Sequence, residues 1–227
     1  MNFDERASRI IDILMSSFLP ILKAGLEFTV PLAIISFSLG LILALLTALA
    51  RISNFKPLVS LAKFYVWIIR GTPLIVQLFI IFYGLPAAGV TLNALTAGII
   101  GFTLSVGAYN SEVIRAAIIS IPQGQWEAAY SIGMTYKQAL RRVIIPQATR
   151  VSIPPLANSF ISLVKDTSLA ATITVTEMFM IAQRITAATY EPLWLYIETA
   201  FIYLMFCSVL SVFQNRLEKR LGRYTTR

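Results

Sequence analysis

The sequence predicts an all-α membrane protein. Five transmembrane helices form one domain, with the amino terminus outside, the carboxyl terminus cytoplasmic, and one amphipathic helical segment in a cytoplasmic loop that spans nothing. Three observations carry the prediction: long uncharged apolar runs, lysine and arginine collected on alternate sides of those runs, and the polar stretch QGQWEAAYSIGMTYKQALRRVIIPQA from Gln123 to Ala148.

Composition sets the bounds. Of 227 residues, 57% are hydrophobic and 13% charged, the mean hydropathy is +0.74, and an ordinary soluble domain carries roughly 25% charged residues. A spanning helix consumes about 20 mostly apolar residues, so four to six spans and their loops use the whole length and no separate soluble domain fits. The single cysteine, Cys207, excludes an internal disulfide, and the absence of histidine removes the commonest metal ligand and general base. No metal site and no catalytic residue is expected. The first residues, Met1-Asn2-Phe3-Asp4-Glu5-Arg6, open with acids and lack a basic head, an apolar core and a small-residue cleavage site. They read as an uncleaved tail.

The elements follow in order. Ile10, Ile11, Leu14 and Phe18 give the segment Ala7–Leu19 an apolar stripe that suits a helix lying on the outer surface. The first span takes residues 26–50, including the uninterrupted run from Phe28 to Ala50, with Lys23 and Glu27 spaced to pair at its outer end. Spans two and three take 63–84 and 92–114, with Gly84-Leu85-Pro86-Ala87-Ala88-Gly89 as the turn between them. Arg70-Gly71-Thr72-Pro73 builds the entry of the second, because proline is tolerated early in a helix. Span four, 151–183, is interrupted by Lys165 and Asp166, and span five covers 193–215.

Orientation comes from the positive charges, which enrich cytoplasmic loops near span ends. Arg51, Lys56, Lys63 and Arg70 follow span one; Arg115, Lys137, Arg141, Arg142 and Arg150 separate spans three and four; Arg216, Lys219, Arg220, Arg223 and Arg227 follow span five. The opposite side holds Arg6, Arg9, Lys23 and Arg184. The net charge of +8 is mostly this topological signal, and it calls for no nucleic-acid partner.

The polar stretch then lies in the largest cytoplasmic loop, residues 115–150. Pro122 and Gly124 precede a helical segment Gln125–Ile132, Gly133 offers a turn, and Tyr136–Ile145 reads as a second helix ending before Pro146. Trp126, Ala129 and Tyr130 form one apolar-aromatic face with Glu127 beside it. By periodicity this is either an interfacial helix on lipid headgroups or a docking helix for a cytoplasmic partner.

The pattern Glu127-Ala128-Ala129, three residues, Gly133, nine residues, Val143-Ile144-Ile145-Pro146 resembles the EAA loop of ATP-binding-cassette (ABC) import permeases, with valine and isoleucine where that family usually has isoleucine and leucine. From about Gly25 onward, Arg70-Gly71-Thr72-Pro73-Leu74-Ile75-Val76-Gln77-Leu78, Ala108-Tyr109-Asn110-Ser111-Glu112-Val113-Ile114-Arg115 and Asn158-Ser159-Phe160-Ile161-Ser162-Leu163-Val164-Lys165-Asp166-Thr167-Ser168-Leu169 look like the polar amino-acid uptake branch of these permeases. Gly124-Gln125-Trp126-Glu127-Ala128-Ala129 and Lys165-Asp166-Thr167-Ser168-Leu169-Ala170-Ala171-Thr172-Ile173 most resemble permeases for L-cystine.

The resemblance implies a five-span subunit in the cell membrane, paired as a homodimer or heterodimer, with two ATP-binding subunits and an extracytoplasmic substrate-binding protein. It implies a coupling helix in which Glu127, Ala128, Ala129, Ile132, Gly133 and Met134 meet the ATP-binding subunit. ATP and Mg are held by that partner, and this chain binds no cofactor. The residues agree on that division, since the chain has no Gly-x-x-x-x-Gly-Lys-Ser/Thr phosphate loop.

The translocation site is expected on span four. Ionisable residues within a span face an interior, a cavity or each other, because lipid exposure costs a few kcal/mol each. On a helix Ser159, Ser162 and Asp166 share one stripe, and Ser162 and Lys165 an adjoining one with Asn158. Together they offer a zwitterionic substrate both charges. Pro154-Pro155 would bend the helix and free carbonyls to line the cavity. The alternative is a clasp, with Lys165 and Asp166 paired with each other or with a dimer mate. Gln77 and Asn110 join the cavity or make interhelical hydrogen bonds, Glu112 and Arg115 form a mutual pair, and Glu177 and Glu198 face the binding protein or the pore. Other readings are a permease for arginine, glutamine or histidine, an ion-coupled secondary transporter, whose paired broken repeats are not apparent, and a membrane enzyme.

Overall fold

Apolar sequence with no competing strand pattern winds into helix wherever the backbone must satisfy itself. The computed structural model, which describes residues 3–222, is helical throughout, with no strand among the described residues. Met1 and Asn2 of the expected tail, and Arg223 and Arg227 of the carboxyl-terminal charge cluster, lie outside them. The helices are α1 (Phe3–Ala24), α2 (Val30–Ile52), α3 (Lys56–Gly71), α4 (Leu74–Phe79), α5 (Ala94–Ile119), α6 (Gln123–Ser131), α7 (Tyr136–Ala139), α8 (Ile145–Asp166), α9 (Met178–Thr189) and α10 (Pro192–Gly222).

Element boundaries differ from expectation at five places. The surface helix and the first span are one continuous helix from Glu5 to Ile52. A π turn at Gly25–Thr29 joins α1 to α2, because Pro20 and Gly25 tighten or loosen single turns without supplying a stop. The expected span 63–84 is interrupted at Thr72, whose backbone is extended at φ −121° and ψ 146°, as the residue before a proline prefers. Pro146 does not end the second loop helix. A π turn at Leu140–Ile144 precedes it, so the i→i+5 ladder absorbs the N–H that proline lacks, and the chain runs on through Pro154 and Pro155 to Asp166. The expected span 151–183 becomes α8, a 3₁₀ segment Thr167–Ile173 and α9, separated where Thr174 adopts φ +66°. Finally, α10 continues past residue 215 to Gly222.

Among the described residues, Glu5–Ile52 and Pro192–Arg220 are long and apolar enough to cross a membrane, and a third span results if the bent pair Lys56–Gly71 and Leu74–Ala88 is taken as one. α5 has the length, at 26 residues, but Asn110, Glu112 and Arg115 dilute its apolar character.

The chain divides into two compact units. The first draws on the chain up to Ser36, on Leu74–Phe102 and on Ile161–Val212. Its core is the cluster Ile21, Met178, Ala182 and Ile202, each fully buried, with Phe18, Leu22, Tyr203 and Phe206 packed around it. α1 therefore rests on α9 and α10 along an apolar stripe, with Ile11, Met15 and Leu19 exposed. Gly25 is required there: a Cβ would come within 2.7 Å of the Met178 sulfur and 2.9 Å of the Phe206 ring.

The second unit draws on Phe37–Pro73, Thr103–Phe160 and the chain from Phe213 onward. Its core gathers Ala117, Ile118, Ile121, Ile144 and Ala148, with Trp126, Leu140 and Val143 partly buried against it. The Tyr65 hydroxyl donates to the Leu104 carbonyl at 2.6 Å, tying α3 to α5.

Candidate functional site

Two sets of residues carry function-bearing geometry, one in each unit. In the second unit, the opening polar stretch folds as a short helix, a turn and a second short helix. Pro122, at φ −55° and ψ 139°, turns the chain into α6. The helix ends in paired bonds, with the Met134 N–H donating to Ala129 O at 3.1 Å and the Gly133 N–H to Tyr130 O at 2.9 Å. That is the Schellman arrangement, and it needs a left-handed residue at its corner. Gly133 supplies it with φ +80°. Thr135 then caps α7 in a capping box, accepting from Gln138 N while the Gln138 side chain accepts from Thr135 N at 2.9 Å.

Packing fixes which face looks outward. Ala129 is 3% exposed, and Trp126 sits on the underlying core and stacks on Tyr136 with ring centres 5.4 Å apart. Gln147 Nε2 donates to Gln125 Oε1 at 3.0 Å and so ties α6 to α8. Glu127, Ala128 and Gly133 are exposed and Met134 partly so, while Ile132, at 73% exposure, stands free of the chain. The expected Trp126/Ala129/Tyr130 face thus splits: Trp126 and Ala129 face inward and Tyr130 outward. The result is a braced platform presenting one carboxylate, a small residue and apolar side chains.

The residues expected at the translocation site lie in both units. Ser162, Lys165 and Asp166 occupy the last two turns of α8 in the first unit and are exposed. Gln77, also in the first unit, is buried on α4. Ser159, partly buried, and Asn110 belong to the second unit; Asn110 is 1% exposed and its amide nitrogen has no hydrogen-bond partner. Among the described residues no ion pair joins Lys165 to Asp166. The mutual clasp is therefore not formed within the chain.

Lys165 instead lines a cavity of about 560 Å³ in the first unit, with Ser168, Phe179, Tyr196, Thr199, Ala200, Tyr203, Leu204 and Cys207. Sequence reasoning missed these α10 residues. Their signal is the spacing of Tyr196, Thr199, Tyr203 and Cys207, which repeats at three, four and four residues along one helix face. Beside the cavity, Glu177 is fully buried and does not face outward to meet a binding protein. Its carboxylate caps α9 by accepting from Met180 N at 2.8 Å and also accepts from the Tyr203 hydroxyl at 2.8 Å. Glu198 accepts from the Ser17 hydroxyl. In the second unit the expected Glu112–Arg115 pair forms at 3.0 Å and is joined by Arg51 and Arg70. In the first unit, Lys23 and Glu27 lie 3.7 Å apart.

Comparison with known proteins defines the class. Residues 37–223 match the family described as the binding-protein-dependent transport system inner membrane component. The chain belongs to that family and is a transport component, not an enzyme. It is 56% identical, over 95% of its length and 93% of the relative's, to the L-cystine transport system permease protein TcyB of Bacillus subtilis (strain 168). It is 38% identical to the probable glutamine ABC transporter permease protein GlnM of the same organism, covering 88% and 92% of the two chains. A crystal structure of an amino acid ABC transporter with histidines superposes with a TM-score of 0.80 at 34% identity, covering 97% of this chain and 99% of that one.

Proposed function

We propose that the chain is the multi-pass permease subunit of an ATP-driven importer in the cell membrane, and that its substrate is L-cystine. The observation that carries the substrate is the 56% identity, extending over nearly all of both chains, to a permease named for L-cystine. In this reading five spans place the amino end outside and the carboxyl end in the cytoplasm. Two permease subunits pair, two ATP-binding subunits dock below, and an extracytoplasmic protein delivers substrate.

The platform of α6 and α7 is the coupling element. Glu127 and Ala128 on its outer face and Ile132 at its corner meet the ATP-binding subunit, Gly133 sets the corner, and Met134 closes the turn. What supports this role is the bracing described above. A displacement imposed on Glu127 passes through Trp126 into the core and through Gln147 into α8. Substrate passes the polar end of α8, where Ser159, Ser162, Lys165 and Asp166 on that one helix offer hydroxyls and both charges. Alternating access then follows from ATP-driven rocking of the coupling elements.

The test is uptake of radiolabelled cystine by cells with and without the gene, and after Glu127→Lys, with unlabelled arginine, glutamine and histidine as competitors. Uptake lost in both the deletion and the variant, and competed only by cystine, is the expected outcome. Undiminished cystine uptake with loss of another amino acid discards cystine and keeps the permease.

A further inference from the structure

Three arginines of the second unit converge on one carboxylate. Glu112 Oε1 accepts from Arg51 and lies 3.6 Å from Arg70 Nη1, and its Oε2 accepts from Arg115 Nε at 3.0 Å. Each guanidinium carries five N–H donors and a full positive charge, and the carboxylate returns one negative charge through two oxygens. Among the described residues Glu112 is the sole hydrogen-bonding or ion-pair partner of all three side chains. Donors and charge are left over. Water does not relieve the innermost of them: the Arg51 side chain is 14% exposed, and its Nε is buried with no acceptor.

We propose that this cluster binds the phosphate of an acidic phospholipid headgroup. A phosphate matches the guanidinium fork with paired N–H···O bonds, where a second carboxylate would find only part of the leftover donors. The surroundings select a phosphate carried on acyl chains over a free one. Arg70 stacks on the exposed Tyr109 ring, 5.3 Å from its centre, and α3 presents Phe64, Trp67 and Ile68 outward beside it. Charge below and apolar surface alongside are the two halves that one lipid molecule satisfies together.

The experiment uses the purified complex of permease and partner subunits in phosphatidylcholine nanodiscs, with retained lipid read by native mass spectrometry as phosphatidylglycerol is titrated in. The wild type retains phosphatidylglycerol in preference to phosphatidylcholine. The double variant Arg70→Gln/Arg115→Gln, whose side chains are partly exposed, loses that preference by at least tenfold, with an unchanged unfolding temperature in pure phosphatidylcholine. Glu112→Gln removes the competing carboxylate and binds phosphatidylglycerol at least as tightly as the wild type. If the double variant does not fold, Arg70→Gln alone against Glu112→Gln decides, since their effects run in opposite directions. Equal retention by wild type and arginine variants, equal retention of the two lipids, or weakened binding in Glu112→Gln overturns the proposal. Emptying of the site by millimolar inorganic phosphate shows a free-phosphate site and overturns the lipid assignment.

Discussion

The Tyr203 hydroxyl donates to Glu177 at 2.8 Å while the other oxygen of that carboxylate holds the first turn of α9. One buried acid therefore joins the wall of the α10 cavity to the start of the neighbouring helix. A carboxylate taken out of solvent is tolerated only when its oxygens are engaged, so Tyr203→Phe leaves half of it unsatisfied. The expected loss is about 1–3 kcal/mol, read as a lowered unfolding temperature of the detergent-solubilised protein. Glu177→Ala costs more, because the helix cap goes with it. Equal stability of Tyr203→Phe and wild type would show that the bond contributes nothing.

At the corner between α6 and α7, Gly133 has φ +80° and nothing within 4 Å of where a Cβ would stand. Strain there is purely conformational, of order 1–2 kcal/mol for an ordinary residue. Cystine uptake should fall in the order Gly, Asn, Ala, Val at this position, since asparagine tolerates the left-handed region better than alanine and β-branching is worst. A series that follows side-chain volume alone contradicts the backbone argument.

Neighbouring residues of the platform should separate cleanly. Ile132 is 73% exposed, so Ile132→Glu leaves the isolated permease as stable as before and weakens its association with ATP-binding subunits, measured by co-purification. Ala129 is buried at 3%, and Ala129→Leu overpacks the core beneath Trp126 at about 1–3 kcal/mol. That loss appears in the isolated permease before any partner is added.

Cys207 is the only cysteine in the chain and lines the α10 cavity. A maleimide reagent therefore reports on that cavity without background from other thiols of this chain, the labelled band being resolved from the partner subunits on a gel. If substrate occupies it, a thioether analogue of cystine, unable to exchange with the thiol, slows labelling several-fold in the assembled importer. Labelling that proceeds at the same rate with and without the analogue places the substrate elsewhere.

Much of this could be read in advance where residue type alone decides the outcome. The turn at Gly84–Gly89 follows from glycine and proline chemistry, and the platform's helix and corner from Pro122, Gly124 and Gly133. The extents of the helices were less legible, because the proline at 146 looks like a stop in isolation. The π turn just before it and its place in the first turn of α8 absorb its missing donor, which is a property of the ladder around it. The arginine cluster was half visible: Glu112 and Arg115 share a helix and a spacing, whereas Arg51 and Arg70 arrive from other helices. The α10 cavity has only a spacing as its sequence signal, Tyr196, Thr199, Tyr203 and Cys207 being uncharged residues within an apolar span.

The unbroken helix from Glu5 to Ile52 contains 48 residues. At about 1.5 Å per residue it is roughly 72 Å long, against a hydrocarbon layer of about 30 Å. Even tilted by about 40°, the upper range for spanning helices, it would use only some 40 Å of that length inside lipid. The remaining stretch must be housed by protein or water, and Glu5, Arg6, Arg9 and Asp12 fall where it begins. The helix a cell must insert is more than twice as long as the hydrocarbon layer is thick. Shortening α1 by whole turns should therefore leave insertion intact and register first as lost packing against α9.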